Sequence, residues 1–207
     1  MAICAIIVGG SAATASPQRY TYQVYESRYG AIGTYSNTIE KSDKATTIAT
    51  EAHISVSFLG FTFYSQDVSR TERRVGDRLV YFHGITTENG KPFEVDGRAE
   101  GNHFIIISPN GRVIAPKMIR SANPWSMNAP GGDMLFMPDS GLVTKANSNG
   151  GEETSIMVDG AVRQVRQYQI DAGEEQYKVW MDDGGIPVKF NIQDKDSNVT
   201  FTLISLQ

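Results

Sequence analysis

HISVSFLGFTFYSQDVSRTERRVGDRLV, residues 53–80, is the stretch that decides the fold. Its first arm alternates Ile54, Val56 and Phe58 with His53, Ser55 and Ser57. A period of two is that of a strand with one face buried. Leu59-Gly60 breaks the run, and glycine lets the chain reverse where a side chain would clash. The second arm restarts at Phe61 and Phe63 and turns polar from Ser65 to Arg74. Gly76-Asp77 closes it, and Leu79-Val80-Tyr81-Phe82 opens the next strand. One end of this meander is apolar and aromatic. The other carries Arg70, Glu72, Arg73, Arg74, Asp77 and Arg78, which reads as a solvated strand face in preference to an anion-binding arginine cluster. Such a sheet can face an apolar cavity at one end and water at the other.

The same grammar continues on both sides. Strand-like runs occupy residues 20–26, 33–41 and 45–58, with turns at Tyr29-Gly30 and Ser42-Asp43-Lys44. Asn89-Gly90 separates two more runs and is the strongest short hairpin signal in the chain. Asn110-Gly111, Asp159-Gly160, Ala172-Gly173 and Asp183-Gly184-Gly185 punctuate the rest, and regular strands resume after residues 147–151. No amphipathic helix of ten residues or more is expected, and one short helix is placed near residues 116–120. Turns about every 8–14 residues fit an antiparallel meander.

Residues 114–141 differ. Pro116, Pro124, Pro130 and Pro138 exclude a run of central strands there. The segment nevertheless carries Met118, Trp125, Met127, Met134, Phe136 and Met137. It is expected to fold over one mouth of a barrel, with Trp125 pointing inward beside Met127 and Phe136.

The chain has 207 residues, is 40% hydrophobic and 10% aromatic, and carries a formal charge of −4. It can bury a core, and its mild acidity excludes general nucleic-acid binding. Residues 1–15 read as a secretory signal, with an apolar run at 2–8 and Ala13-Thr14-Ala15 before Ser16-Pro17. The missing basic n-region is consistent with a start inside a longer signal. Residues 16–207 are then one domain in the periplasm or outside the cell. Cys4, the sole cysteine, leaves with the signal, so no disulfide is expected.

Catalytic motifs are sparse. His53, His83 and His103 show no metal-ligand spacing, and no metal or cofactor is expected. Asp194-Lys195-Asp196-Ser197-Asn198 starts like a calcium loop but lacks its glycine and its closing glutamate, so it reads as a turn. The candidate ligand-binding side chains are Phe58, Phe61, Phe63, Tyr81, His83, Trp125, Met127, Phe136 and Trp180. If the chain is an enzyme instead, Tyr81, His83 and Glu72 are the residues to test.

Three groups of residues carry a family resemblance. They are Tyr22-x-Val24 with Ile32-Gly33; Tyr64, Glu72 and Arg78-Leu79 with residues 86–90; and Val179-Trp180-Met181-Asp182 with Gly185 and Pro187-Val188. The chain resembles an uncharacterised family of small secreted bacterial proteins, domains of unknown function of the DUF6134 and DUF3108 kind. Their strand grammar is similar to periplasmic lipoprotein-carrier folds (LolA/LolB-like). The family favours an aromatic residue where this chain has Arg74, and Tyr where it has Met181. The resemblance implies an all-β, mainly antiparallel half-open barrel over a hydrophobic cavity, with a long irregular or short-helix segment across one mouth. About eleven strands are expected. The expected partner is a hydrophobic or amphiphilic small molecule or lipid, bound by a monomer, with no nucleic acid involved. The alternatives are an envelope module with a transient envelope or membrane partner, and a cavity-shaped metal-free enzyme of a biosynthetic pathway.

Overall fold

The computed structural model describes residues 16–127, 133–158 and 160–207, without the side chains of Phe58 and Met127. The expected signal segment, residues 1–15, lies outside the described residues.

The strands are β1 (Gln18–Glu26), β2 (Gly30–Lys41), β3 (Thr46–Phe58), β4 (Phe61–Val75), β5 (Arg78–Glu88), β6 (Lys91–Glu100), β7 (His103–Ser108) and β8 (Gly111–Pro116). A crossing segment follows, holding β9 (Arg120–Ser121), helix α1 (Pro124–Met127) and β10 (Met134–Phe136). The chain ends with β11 (Val143–Val158), β12 (Ala161–Ala172), β13 (Glu175–Met181), β14 (Pro187–Gln193) and β15 (Asn198–Leu206). All fifteen belong to one sheet in the order β8-β7-β6-β5-β4-β3-β2-β1-β15-β14-β13-β12-β11-β10-β9. Every pairing is antiparallel except β9 with β10. The first and last strands pair, from Tyr20 opposite Leu206 to Glu26 opposite Val199. β8 and β9 are left as the two edges, so the barrel-like sheet is not closed.

The all-β half-open expectation holds, but the described residues form fifteen strands where about eleven were expected. The additional pairing lies in the proline-rich crossing segment and across residues 147–151. The prolines avoid the ladder by standing at its margins: Pro116 ends β8, Pro124 opens α1 and Pro138 follows β10. The Asn- and Gly-rich stretch at 147–151 is not a turn. It lies within β11, which shifts register by a bulge between Gly150 and Glu152. The short helix sits at 124–127, not at 116–120. Asn123 Oδ1 accepts the Trp125 amide at 3.0 Å, and Pro124 needs no donor at the first helical position.

Alternation, interrupted at the bulges, places one face of the sheet inward. Tyr22, Tyr35, Ala52, Val68 and Thr86 form a cross-strand row over β1 to β5. Tyr20, Tyr22, Val24, Ile39, Ile48, Ile54, Val179, Phe190 and Phe201 pack one core beneath the central strands. Leu79, Phe82, Val95, Phe104 and Ile106 pack a second under β5 to β7. The crossing segment enters the sheet rather than merely roofing it. Its Ile119 and Phe136 join the second core, and Leu135 packs on Ala146, Ile170, Ala172 and Tyr177.

Two glycines make this packing sterically feasible. Gly33 has φ +154°, and a Cβ there would lie 2.0 Å from the His53 carbonyl oxygen. It borders the bulge where β1 and β2 change register. A Cβ on Gly97 would sit 2.5 Å from the Phe104 ring, so this position supplies the room that Phe104 and Phe82 fill. At the 194–198 turn, Asp194 Oδ1 accepts the Asp196 and Ser197 amides at 2.7 Å each, an Asx arrangement that caps its own hairpin.

Gly33→Ala should therefore lower stability by roughly 3 kcal/mol or more. Gly60→Ala, also at positive φ but with open space around its added methyl, should cost about 1 kcal/mol. Urea unfolding midpoints of the two variants test the difference.

Candidate functional site

The inner face carries a polar strip across its apolar rows. Asn37, Thr50 and Arg70 stand side by side on β2, β3 and β4, and Glu72 pairs with Ile48 and Phe82 one step further along. The run from Arg70 to Arg78 is thus not simply a solvated face. Arg70, Glu72 and Arg74 share the parity of inward Val68, whereas Ser69 and Arg73 point outward and are exposed. Glu72 is 2% exposed.

A buried carboxyl is costly unless its oxygens are hydrogen-bonded. Glu72 Oε1 accepts the Ser126 hydroxyl at 2.8 Å, and Oε2 accepts the Ser121 hydroxyl. Both serines come from the crossing segment. Thr50 Oγ1 donates to Asn37 Oδ1 at 2.6 Å and accepts Asn123 Nδ2 at 3.3 Å. The strip therefore fastens β9 and α1 to the inner face of β2 to β4.

Beside this fastening lies a cavity of about 630 Å³. Tyr35, Phe190 and Phe201 form an aromatic part of its wall. Phe190 and Phe201 stack at 4.2 Å between centroids, and Tyr35 meets them edge-on at 5.6 and 5.4 Å. Ala52, Ile54, Val68 and Ile192 extend the apolar wall. The polar part is Gln66, Arg70, Asp139, Glu174, Glu175 and Tyr177. Arg70 Nη2 donates to Thr86 Oγ1 at 3.0 Å and also to Asp139. The Tyr177 hydroxyl donates to Glu175 Oε2, and burial pushes both groups' pKa values up.

Of the nine side chains singled out from the sequence, the seven that are described are not gathered at one place. Phe61 and Phe63 stand at the β3–β4 tip, 76% and 53% exposed. Phe63 lies near Tyr29, at 6.5 Å, beside a separate groove. Tyr81 and His83 lie on the outer face of β5, opposite in parity to buried Phe82. Trp125 points inward, half-buried and packed on Tyr20 at 4.4 Å, but in a different core from Phe136 and at another opening of the sheet. Phe136 is wholly buried between Phe82 and Phe104. Trp180 donates from Nε1 to Gln167 Oε1 at 3.0 Å and lies under the Lys189 amine. The side chains of Phe58 and Met127 lie outside the described residues. The wall of the 630 Å³ cavity is built from other residues, which the strand parity of Tyr35, Ile54, Val68, Phe190 and Phe201 could have indicated.

Tyr81, His83 and Glu72 are not assembled into a site, since the first two face outward and the third inward. The histidines do not converge either. His53 pairs with Asp67 at 2.6 Å, and His83 Nδ1 lies 2.9 Å from Asp96 and 3.8 Å from Glu94. His83, Glu94 and Asp96 place potential ligand atoms within 4.8 Å of one another, on the exposed outer face.

Burial raises the Glu72 pKa above its ordinary value, outweighing the lowering by Ser121, Ser126, Arg74 and Arg70. A carboxyl raised in the folded state takes up a proton more readily there than in the unfolded chain. Its contribution to stability is full below its ordinary value of 4.5 and is lost as the pH rises through the folded value. Relative to Glu72→Gln, the wild type should be most favoured in acid and should lose ground steadily above about pH 4.5. Denaturant titrations of both proteins across this range test the sign.

The model for the family described as "Domain of unknown function (DUF6134)" matches residues 22–204. Among solved structures, the chain is similar to a beta-barrel-like protein of the domain of unknown function DUF1849 from Brucella abortus, with a TM-score of 0.69 at 14% identity. The match covers 92% of this chain and 97% of that one. No curated protein matches the sequence.

Proposed function

We propose the role of this chain, which belongs to the DUF6134 family of unknown function, from its cavity: it binds or carries a hydrophobic or amphiphilic, lipid-like molecule. The observation that carries the reading is the cavity of about 630 Å³ with an apolar, aromatic wall and a charged rim. Its volume falls within the range of small-molecule sites, and a few polar groups set against an apolar wall are what orients an amphiphile. Burying an acyl chain of a dozen carbons contributes on the order of 10 kcal/mol before ordering costs. The signal-like pattern of residues 1–15 supports a periplasmic or secreted location.

A second reading, an envelope-interaction module, is favoured by the β3–β4 tip, where Leu59 and Phe61 stand largely in water.

Native mass spectrometry of protein purified from its own host should show a co-purified lipid-like adduct. A fluorescent fatty-acyl probe should bind, and Ala52→Trp, which projects from the cavity wall, should weaken that binding about tenfold or more, ~1.4 kcal/mol. No adduct and no probe uptake would remove the carrier reading. Probe binding unchanged by Ala52→Trp but lost in Phe61→Ser would favour the second reading.

A further inference from the structure

Arg70 is the only Lys or Arg among the described residues that line the cavity. Its guanidinium is held in the wall by a hydrogen bond to Thr86 Oγ1 at 3.0 Å, and Glu72 lies on the same face of β4. Its salt-bridge partner is placed differently. The Arg70 side chain is 15% exposed, whereas that of Asp139 is 60% exposed. Asp139 follows Pro138 on the rim, at the exit of the crossing segment. The cation is thus fixed and largely desolvated, while the anion that compensates it can turn into water.

A desolvated guanidinium left without an anion is costly. An incoming carboxylate can take the place of Asp139 without that cost, because it brings the same charge and the same acceptor geometry. The released Asp139 regains full hydration. The other rim acids oppose an anion less than their number suggests. Glu174 is paired with Lys195 at 2.6 Å. Glu175 accepts the Tyr177 phenol, and burial favours its neutral form. The apolar wall of Tyr35, Ile54, Val68, Phe190 and Phe201 stands ready for a tail.

We infer that the cavity selects anionic amphiphiles, with a long-chain carboxylate displacing Asp139 from Arg70 while its tail lies on the aromatic wall. The inference rests on the carrier reading and names its ligand class. Arg70 is then the residue that decides head-group preference, and Asp139 is a built-in competitor for it.

Isothermal titration calorimetry with dodecanoate and dodecanol, both below micelle formation, tests this. Wild type should bind dodecanoate about tenfold tighter than dodecanol. Arg70→Met should abolish that preference. Asp139→Asn, on the exposed rim, should tighten dodecanoate binding about threefold to tenfold and so widen its preference over dodecanol. If Arg70→Met fails to fold, the Asp139→Asn arm decides alone. Equal binding of the two probes to wild type, or weaker dodecanoate binding in Asp139→Asn, would overturn the inference and leave the carrier reading standing. If neither probe binds wild type, both fall together.

Discussion

The structure depends on the demand of one buried carboxyl for hydrogen-bond donors. Glu72 sits on the inner face of a central strand, 2% exposed, and its oxygens must be satisfied from within. Ser121 and Ser126 meet that demand, and both belong to the segment joining the two arms of the meander. A purely apolar inner face would hold the same segment by area alone and would specify its position less sharply. The carboxyl and its two hydroxyls fix where β9 and α1 lie. Asn123, Thr50 and Asn37 repeat the arrangement one cross-strand row away.

With the segment fastened there, the interior divides. Ile119 and Phe136 fill the space under β5 to β7, so that end is solid core. The space bounded by β2 to β4 and β13 to β15 is only partly filled, and it is there that Tyr35, Phe190 and Phe201 line a cavity. The pairing of first and last strands makes this geometry continuous, because residues far apart in sequence share one wall. Phe201 lies beside Val24 and Phe190 through successive antiparallel registers. The unpaired edges β8 and β9 leave the sheet open.

Much of the architecture was legible because alternation is local. Ile54 and Val56, Tyr20 to Val24, and Phe201 to Leu203 each declare an inward face within a few residues. Asn89-Gly90 declares its turn through positive φ at both positions, 48° and 78°. β9 and β10 escaped because strands of two and three residues carry no period, and their neighbouring prolines argue against any ladder. The beginning of β11 escaped because Asn147 to Gly151 has the composition of a turn, while its bulge is fixed by pairing with β12. The site was harder to read. Charge at Arg70, Glu72 and Arg74 suggested water, although their parity with Val68 pointed inward. The donors that make such burial tolerable lie 49 and 54 residues away from Glu72 along the chain. The described aromatic candidates failed to gather for the converse reason. Large apolar side chains serve core, tip and outer face alike, and only parity separates these uses.

Glu72 fastens the crossing segment inside the sheet. Amide hydrogen–deuterium exchange of wild type and Glu72→Ala, under conditions where both remain folded, tests it most directly. Faster exchange is expected in residues 119–126 and 134–136 alone, with protection in β1, β2, β14 and β15 retained. Unchanged protection across the crossing segment in Glu72→Ala would contradict it.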